Sequence, residues 1–156
     1  MTEGSRPAEP GDLPVLVDLA NLMRDELVPM RGGVVWSLRE DRAEPPSEAE
    51  LFGHDDTRAV VGTIDDVVIG YGVARVEPLH DGRRLGVISE LFVHPEGRGV
   101  GIGELMLADL VAFLTGRGCI GIDAMALPGH RAAKNFFEQQ GFVARRIVMH
   151  TSLTGG

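Results

Sequence analysis

A glycine-rich turn between an apolar strand pattern and an apolar helix pattern constrains the fold of this chain more than any other feature. Residues 84–93 are rich in Val, Leu and Ile, and the apolar spacing of a helix follows over residues 101–115. Between them, glycines occupy positions 99, 101 and 103. Glycine permits close backbone approach and unusual dihedrals, and the free N–H groups at the start of a helix attract anions. The segment therefore predicts a strand–turn–helix unit that can hold a pyrophosphate group.

Two better-known phosphate loops fail here on residue identity. A Walker A loop needs Lys followed by Ser or Thr after its last glycine, whereas Glu104-Leu105 follows here. The dinucleotide fingerprint G-x-G-x-x-G would need glycine at position 104 and would directly follow the first strand. The remaining alternative is that the glycines only form a tight connection, although a plain strand-to-helix turn rarely needs three alternating glycines.

The rest of the pattern predicts one domain over residues 1–156. Three strand patterns joined by short polar turns predict an antiparallel meander. A strand after the apolar helix is expected to lie parallel to the third meander strand, because a helix connects the two. Residues 34–54 are the least regular part, with Ser47-x-x-Glu50 as a capping box for a short helix. The predicted elements are helices at residues 12–30, 101–115 and 130–140, and strands at residues 57–64, 67–77, 84–93, 121–127 and 143–153.

Composition and charge exclude several classes of protein. The chain has 156 residues and a formal net charge of −8, which disfavours nucleic acid as a partner and suits a cationic small substrate. No apolar run approaches about 18 residues, so no membrane span is expected, and the polar N-terminus lacks the features of a secretory signal. We therefore expect a cytoplasmic protein. Cys119 has no second cysteine to pair with, and the five histidines lack metal-ligand spacing, so no metal site is expected.

Two separated motifs resemble those of one enzyme family. Residues 98–103 read Arg-Gly-Val-Gly-Ile-Gly, and residues 133–142 read Ala-Lys-Asn-Phe-Phe-Glu-Gln-Gln-Gly-Phe. The first resembles motif A of the GNAT superfamily of N-acetyltransferases, R/Q-x-x-G-x-G/A, and the second resembles that family's A-x-x-F-Y-E-x-x-G-F helix. Leu91-Phe92-Val93-His94-Pro95 looks like the end of the family's fourth strand, and Arg6-Pro7-Ala8 resembles its first strand. The order of elements is similar over roughly the whole chain.

The resemblance implies a fold and an activity. The fold is α/β (α+β): a mixed, mostly antiparallel central sheet of about six to seven strands with helices on both faces. The activity is transfer of an acetyl group from acetyl-CoA, as co-substrate, to a primary amine of a small molecule or peptide. The resemblance is also compatible with a homodimer. The acceptor amine stays open, because loops such as residues 28–50 shape its binding site.

The resemblance further implies which residues contact the co-substrate. Backbone groups of the strand end contact the pantetheine arm, and the glycine-rich turn holds the pyrophosphate. His130 stands where the family often has an Asn that contacts the cofactor, and it either replaces that donor or only begins a helix. Phe137 stands where many members have a Tyr that protonates the leaving sulfur. The residues expected to bind acetyl-CoA are Leu91, Phe92, Val93, Arg98, Gly99, Val100, Gly101, Ile102, Gly103, His130 and Phe137.

Glu90 is the candidate general base. A free alkyl amine has a pKa near about 10.4, so attack on a thioester at neutral pH needs a group that removes a proton. Glu90 lies in an apolar strand directly before the expected pantetheine contacts, and a carboxylate there is costly unless it is partnered or functional. The alternative is a solvent-facing or salt-bridged glutamate.

Phe137 leaves a second function open. Phenylalanine cannot donate a proton, so water or another group acts as the acid, or the thiolate leaves unaided. Tyr71, the chain's one tyrosine, is expected to be a half-buried strand residue. A non-catalytic acyl-CoA-binding or regulatory domain is the alternative that Phe137 permits, and the carboxylate at Glu90 argues for the enzyme.

Overall fold

The computed structural model describes residues 1–39 and 45–155. These residues form one five-stranded sheet in the order β1-β2-β3-β4-β5. Strands β1 to β4 pair antiparallel with one another. Strand β5 is parallel to β4, as the helix that connects them predicts. The strands are β1 (Glu3–Pro7), β2 (Thr57–Ile64), β3 (Val67–Pro78), β4 (Arg84–Val93) and β5 (Cys119–Ala124).

Helices cover both faces of this sheet. On one face, α1 (Leu13–Leu27), α2 (Gly33–Arg39) and α3 (Glu48–Phe52) contribute to a buried cluster with Val61, Tyr71 and Phe92 of the strands. On the other face, α4 (Ile102–Gly116) packs on Val60, Ala74 and Ile88, and α5 (Arg131–Gln139) adds partly buried phenylalanines. The expected mixed sheet between two helical layers is therefore confirmed.

The meander follows from its turns. Asp65 and Asp66 connect β2 to β3 and both have positive φ, +48° and +67°. This is the geometry that a two-residue hairpin needs to match the twist of its strands, and Asp tolerates it better than most residues. The two-residue polar turn between β2 and β3 is thus confirmed.

A bulge in β4 changes which face its side chains occupy. Val73 of β3 pairs with Glu90, whereas the next residue, Ala74, pairs with Ile88. Ser89 is therefore the extra residue in β4. An extra residue reverses the alternation of side chains along a strand. Ile88 therefore packs on the α4 side, whereas Glu90 and Phe92 both lie on the α1 side.

Beyond Ile88, β4 continues past the end of β5. The pairing of β4 with β5 ends at Ile88 and Ala124, and Ala124 is the last residue of β5, while β4 continues to Val93. Among the described residues, no strand therefore flanks the end of β4 on the β5 side. We call the space beside residues 91–93, beyond the end of β5, the opening.

Two expectations about the sheet's far end are wrong. β5 begins at Cys119 and ends at Ala124, so the predicted strand at 121–127 is shifted toward the N-terminus. Residues 143–153, predicted as a last strand, have no regular secondary structure, so the described sheet has five strands rather than six to seven. We call residues 143–153 the C-terminal arm. The large apolar residues of this arm are exposed, and no described strand of this chain pairs with it.

Close contact between β2 and α4 depends on Gly62. A Cβ atom on Gly62 would lie 2.3 Å from Cγ2 of Ile102. We expect Gly62→Ala to lower the melting temperature by about 3–10 °C, because overpacking a core costs roughly 1–3 kcal/mol. Gly121→Ala in β5 is the matched control, since a Cβ there meets no atom within 4 Å. Equal melting temperatures of the two variants by calorimetry would contradict this packing.

Candidate active site

The glycine-rich turn contains two left-handed glycines in open space. Gly99 and Gly101 both have φ of +88°, and a Cβ on either would meet no atom within 4 Å. Gly101 precedes the first residue of α4, whose opening N–H groups have no acceptor within the helix. A backbone that is open above and donates several N–H groups fits a pyrophosphate. Val100 lies between these two glycines, and Ile102, which follows Gly101, is buried.

Gly103 is glycine for a different reason. It lies inside the first turn of α4 without a positive φ, and a Cβ there would lie 3.3 Å from Cε1 of Phe136. The third glycine of the motif therefore allows α5 to pack closely on the start of α4. This contact places the helix carrying Phe137 beside the turn.

Arg98 connects the turn to α1. Its Nη1 and Nη2 donate to Oε1 and Oε2 of Glu26 at 2.9 and 2.7 Å, and its Nε donates to the carbonyl oxygen of Val93 at 2.9 Å. The guanidinium also lies 5.3 Å from the ring centre of Phe92. The hydrogen bonds from Arg98 hold the pKa of the Glu26 carboxyl below its ordinary value. Arg98 was expected to hold the pyrophosphate, and in this structure its guanidinium is held by Glu26.

His130 lies beside this ion pair. Burial lowers the pKa of the imidazole, Glu26 opposes that shift, and Arg98 adds to it. The residue precedes α5 and its side chain makes no capping hydrogen bond. A neutral imidazole can donate from one ring nitrogen and accept at the other. The structure thus places His130 within electrostatic reach of Glu26 and Arg98, and its contact with the cofactor stays a prediction.

Residues 91–93 of β4, which are expected to meet the pantetheine arm, border the opening. Phe92 is buried against α1, whereas Leu91 and Val93 pack partly on the α4 side. Because β4 lacks a strand partner here on its β5 side, backbone groups of these residues face the opening. An extended arm of a ligand can pair with such an edge as a strand would.

Glu90 is buried and hydrogen-bonded. The residue is 6% exposed. Its Oε1 accepts a hydrogen bond of 2.8 Å from the hydroxyl of Tyr71. Tyr71 is fully buried rather than half-buried as expected, and Sδ of Met23 lies 3.9 Å from its hydroxyl oxygen. The expectation of a half-buried strand tyrosine is wrong because Tyr71 packs into the cluster under α1. The alternative of a solvent-facing Glu90 is excluded for the same reason.

A small cavity lies beside Glu90, with room for about one water molecule. It is lined by side chains of α1 and α2 and by a proline segment after α2. The residues that contribute to it include Asn21, Arg24, Trp36, Pro45 and Pro46. Part of the segment expected to shape the acceptor site, residues 40–44, lies outside the described residues.

Phe137 belongs to an aromatic cluster. Its ring centre lies 5.4 Å from that of Phe136 and 5.2 Å from that of Phe142. Gly141, with φ of +91°, ends α5, and the N–H of Phe142 returns to the carbonyl of Phe137 at 2.9 Å. This glycine-terminated helix end is the one that the sequence predicts. The ring is partly buried beside α4, and Phe137 offers no hydroxyl to the opening.

Two partners in this site were missed by reasoning from sequence. Tyr71 lies 19 positions before Glu90, and Glu26 lies 72 positions before Arg98. The only available signal was that Glu26 shares the helix face of Met23 and Leu27. Within residues 1–39 and 45–155 no group of three or more His, Cys, Asp or Glu side chains could hold a metal ion. No helix of the same residues is long and apolar enough to cross a membrane.

Solved structures share this architecture across almost the whole chain. A tetramutant of a Bacillus halodurans protein superimposes with a TM-score of 0.78 at 22% identity, covering 96% of this chain and 99% of that one. Glucosamine-6-phosphate N-acetyltransferase from Arabidopsis thaliana gives a TM-score of 0.68 at 18% identity, covering 98% and 99%. At these identities the similarity shows the fold, which is that of acetyltransferases.

Sequence comparison then identifies the family. The model of the acetyltransferase (GNAT) family matches residues 18–142, so this chain belongs to that family. Glucosamine 6-phosphate N-acetyltransferase from Trypanosoma brucei brucei is 24% identical over 128 residues, which cover 82% of this chain and 81% of the relative. Acetyltransferases of this family use acetyl-CoA as co-substrate, and the open turn at Gly99 and Gly101 fits its pyrophosphate.

The role of the turn in binding acetyl-CoA can be tested separately from the backbone strain at its left-handed glycines. Gly101 (φ +88°) and Gly118 (φ +76°) both have left-handed dihedrals and open space, but Gly118 follows the other end of α4. An alanine at either position costs roughly 1–2 kcal/mol of strain. We expect Gly101→Ala and Gly118→Ala to lose similar stability, and only Gly101→Ala to weaken acetyl-CoA binding at least tenfold by calorimetric titration. Equal affinities in both variants would mean that Gly101 only shapes the turn.

Proposed function

We propose that this protein transfers the acetyl group of acetyl-CoA to a primary amine of a small molecule or peptide, with Glu90 as the general base. The observation that carries the proposal is the buried pair of Glu90 on β4 and Tyr71 on β3, in which Glu90 directly precedes the strand edge that borders the opening. A pure acyl-CoA binder needs no buried carboxylate at that place. The acetyl thioester supplies the electrophilic carbonyl carbon that the amine attacks.

The chain's own residues bring the reactants together in three regions. The turn at residues 98–103 and the start of α4 bind the pyrophosphate end. The edge of β4 at Leu91–Val93 orients the pantetheine arm, which directs the thioester toward Glu90. Residues of α1 and α2 line the small cavity beside Glu90, which supports an approach of the amine from that side of the sheet. Such positioning converts a bimolecular attack into a reaction within one complex.

Glu90 moves the proton. A protonated amine has no lone pair for attack, so its ammonium proton must leave, directly to the carboxylate or through the water that the cavity can hold. The amine nitrogen then bonds to the carbonyl carbon, the carbon–sulfur bond breaks, and the nitrogen gives its remaining excess proton to solvent to leave a neutral amide. The released thiolate is the conjugate base of a thiol with a pKa near about 8.5, so it leaves more readily than an alkoxide and takes its proton from solvent. Phe137 is consistent with a reaction that needs no tyrosine acid.

Tyr71 is a positioning residue for this base. Its hydroxyl holds one carboxylate oxygen from inside the α1 layer, which fixes the rotamer of Glu90. A hydrogen bond to the ionised form also favours that form, and this offsets part of the cost of burying the charge. In this proposal the ionised carboxylate is the form that accepts the proton.

The acceptor can be found by screening amines for thiol release from acetyl-CoA. The names of the relatives suggest amino-sugar phosphates as the first panel, and peptides with free amino groups as the second. Thiol release that depends on the added amine supports the proposal. Absence of release with every amine, although acetyl-CoA binds, would contradict it.

Replacing the base tests its role. We expect Glu90→Gln to keep the fold and acetyl-CoA affinity but to slow transfer by about 10²–10⁴-fold, the usual contribution of one general base. The rise of kcat/KM with pH due to the carboxylate should vanish in the variant, measured with the same acceptor because the amine also titrates. Glu138→Gln, at an exposed glutamate near the end of α5, is the control. Full activity of Glu90→Gln with an unchanged pH profile would show that Glu90 is not the base.

Removing the hydroxyl of Tyr71 tests the positioning role. We expect Tyr71→Phe to lower kcat by about tenfold while leaving KM for acetyl-CoA unchanged, a smaller loss than that from removing the base itself. Because the lost hydrogen bond favoured the ionised carboxylate, the rising limb of the pH profile should move to higher pH. A drop in stability without any movement of that limb would assign Tyr71 a purely structural role.

A further inference from the structure

A groove lies between α4 and the first two strands, on the face of the sheet opposite Glu90. Its volume is about 370 Å³, which is within the range of pockets that bind small molecules. The sheet separates this groove from the cavity beside Glu90. Its apolar lining is formed by Pro7 of β1, Val60 of β2, and Ala112 and Phe113 of α4.

Arg58 brings a positive charge to one end of the groove. Its guanidinium lies 4.9 Å from the centre of the Phe113 ring, a contact that favours this position of the side chain. Among residues 1–39 and 45–155, no carboxylate forms an ion pair with Arg58 or Arg117. Arg117 lies 5.1 Å from the same ring centre. Two positive charges around one ring, in a chain whose formal net charge is −8, attract an anionic group to this end.

Asp109 brings a negative charge to the other end. Its Oδ2 accepts a hydrogen bond of 2.6 Å from the hydroxyl of Ser5, and no cation in the described part of the chain pairs with this carboxylate. An ionised carboxylate accepts about four hydrogen bonds, so Asp109 can accept further donors. Arg6 also lines the groove, but its guanidinium is held by Asp12 through two hydrogen bonds of 2.8 and 3.0 Å.

The two charges line one groove without pairing with each other. Helix α4 rises about 6 Å between Asp109 and Phe113, and Arg58 contacts the Phe113 ring. On the sheet, Ser5 pairs with Gly62, which lies four positions after Arg58 in β2. The charges of Arg58 and Asp109 are therefore on the order of 10 Å apart. A hydrogen bond of about 2.8 Å at each end leaves about 5 Å for the ligand between its own charged groups.

We propose that this groove binds a short zwitterion, whose carboxylate pairs with Arg58 and whose ammonium group pairs with Asp109. The apolar lining covers the carbon chain between the two charged groups. An anion would leave Asp109 unmatched, and a cation would leave Arg58 unmatched, so a ligand with both charges is the most complementary. The site is distinct from the acetyl-CoA turn and from Glu90, and it goes beyond the proposed acetyl transfer.

Three related probes test the two charges. γ-Aminobutyrate carries a carboxylate and an ammonium group about 5 Å apart, butyrate carries only the carboxylate, and butylamine carries only the ammonium group. In NMR titrations of the full chain, γ-aminobutyrate should shift the amides of residues 5–7, 58–60 and 109–113. It should bind about fivefold more tightly than either analogue, the upper contribution of one partly exposed ion pair.

Two substitutions that each remove one charge separate the roles. In Arg58→Gln, γ-aminobutyrate should bind only as tightly as butylamine, and in Asp109→Asn only as tightly as butyrate. Asparagine keeps an oxygen that accepts the hydrogen bond from Ser5. Arg83→Gln is the matched control, because Arg83 pairs with Asp81 in the turn between β3 and β4, outside the groove, and it should keep the full preference for γ-aminobutyrate.

Several outcomes would overturn the proposal. Equal affinities of the three probes, or a preference for γ-aminobutyrate that survives both substitutions, would show that the two charges do not recognise a ligand. Shifts confined to Glu90 and Tyr71 would place the probe at the acceptor site instead. No shift of the groove amides at about 50 mM γ-aminobutyrate, above the Kd expected for a ligand of this size, would also contradict the proposal. None of these measurements uses acetyl-CoA, so their outcome is separate from that of the proposed acetyl transfer.

Discussion

The bulge at Ser89 is the constraint on which the rest of the site depends. Without it, Glu90 would share a face with Ile88 and point into the cluster under α4, which consists of apolar side chains. One extra residue reverses the alternation and turns Glu90 toward Tyr71 and α1. The ladder between β4 and β5 also ends at Ile88, directly before the bulge. A single backbone irregularity thus coincides with both the aimed carboxylate and the opening beside it.

A second interaction connects the two halves of the site. Arg98 holds Glu26 with two hydrogen bonds and the carbonyl of Val93 with a third, so α1, the end of β4 and the glycine-rich turn are joined at one side chain. Helix α1 also lines the cavity beside Glu90. The pyrophosphate end of the site is therefore in direct contact with α1, the helix that borders the acceptor end. The two guanidinium–carboxylate bonds are partly exposed, so their net contribution to stability is small, and their main effect is geometric.

The sequence predicts the elements whose signals are local. The meander follows from alternating apolar patterns and Asp-rich turns, α4 from its apolar spacing, and the end of α5 from Gly141. Where a signal depends on a partner, prediction fails. The C-terminal arm has the pattern of a strand, but a strand forms only when another backbone pairs with it, and no described strand of this chain does so. Gly103 carries the same residue type as Gly99 and Gly101, although only the packing of Phe136 explains it.

By itself, the sequence determined the family resemblance, the turn that fits a pyrophosphate, and the candidate base, because these rest on residue identity within short segments. Only the tertiary structure decided that Glu90 is buried against Tyr71, that Arg98 is held by Glu26, and that β4 extends beyond the end of β5. These features join residues 19 and 72 positions apart. They also depend on a bulge at Ser89 that the sequence does not predict. The physical reason is that side-chain direction in a strand is set by its pairing with the neighbouring strand, and pairing is a property of the folded sheet.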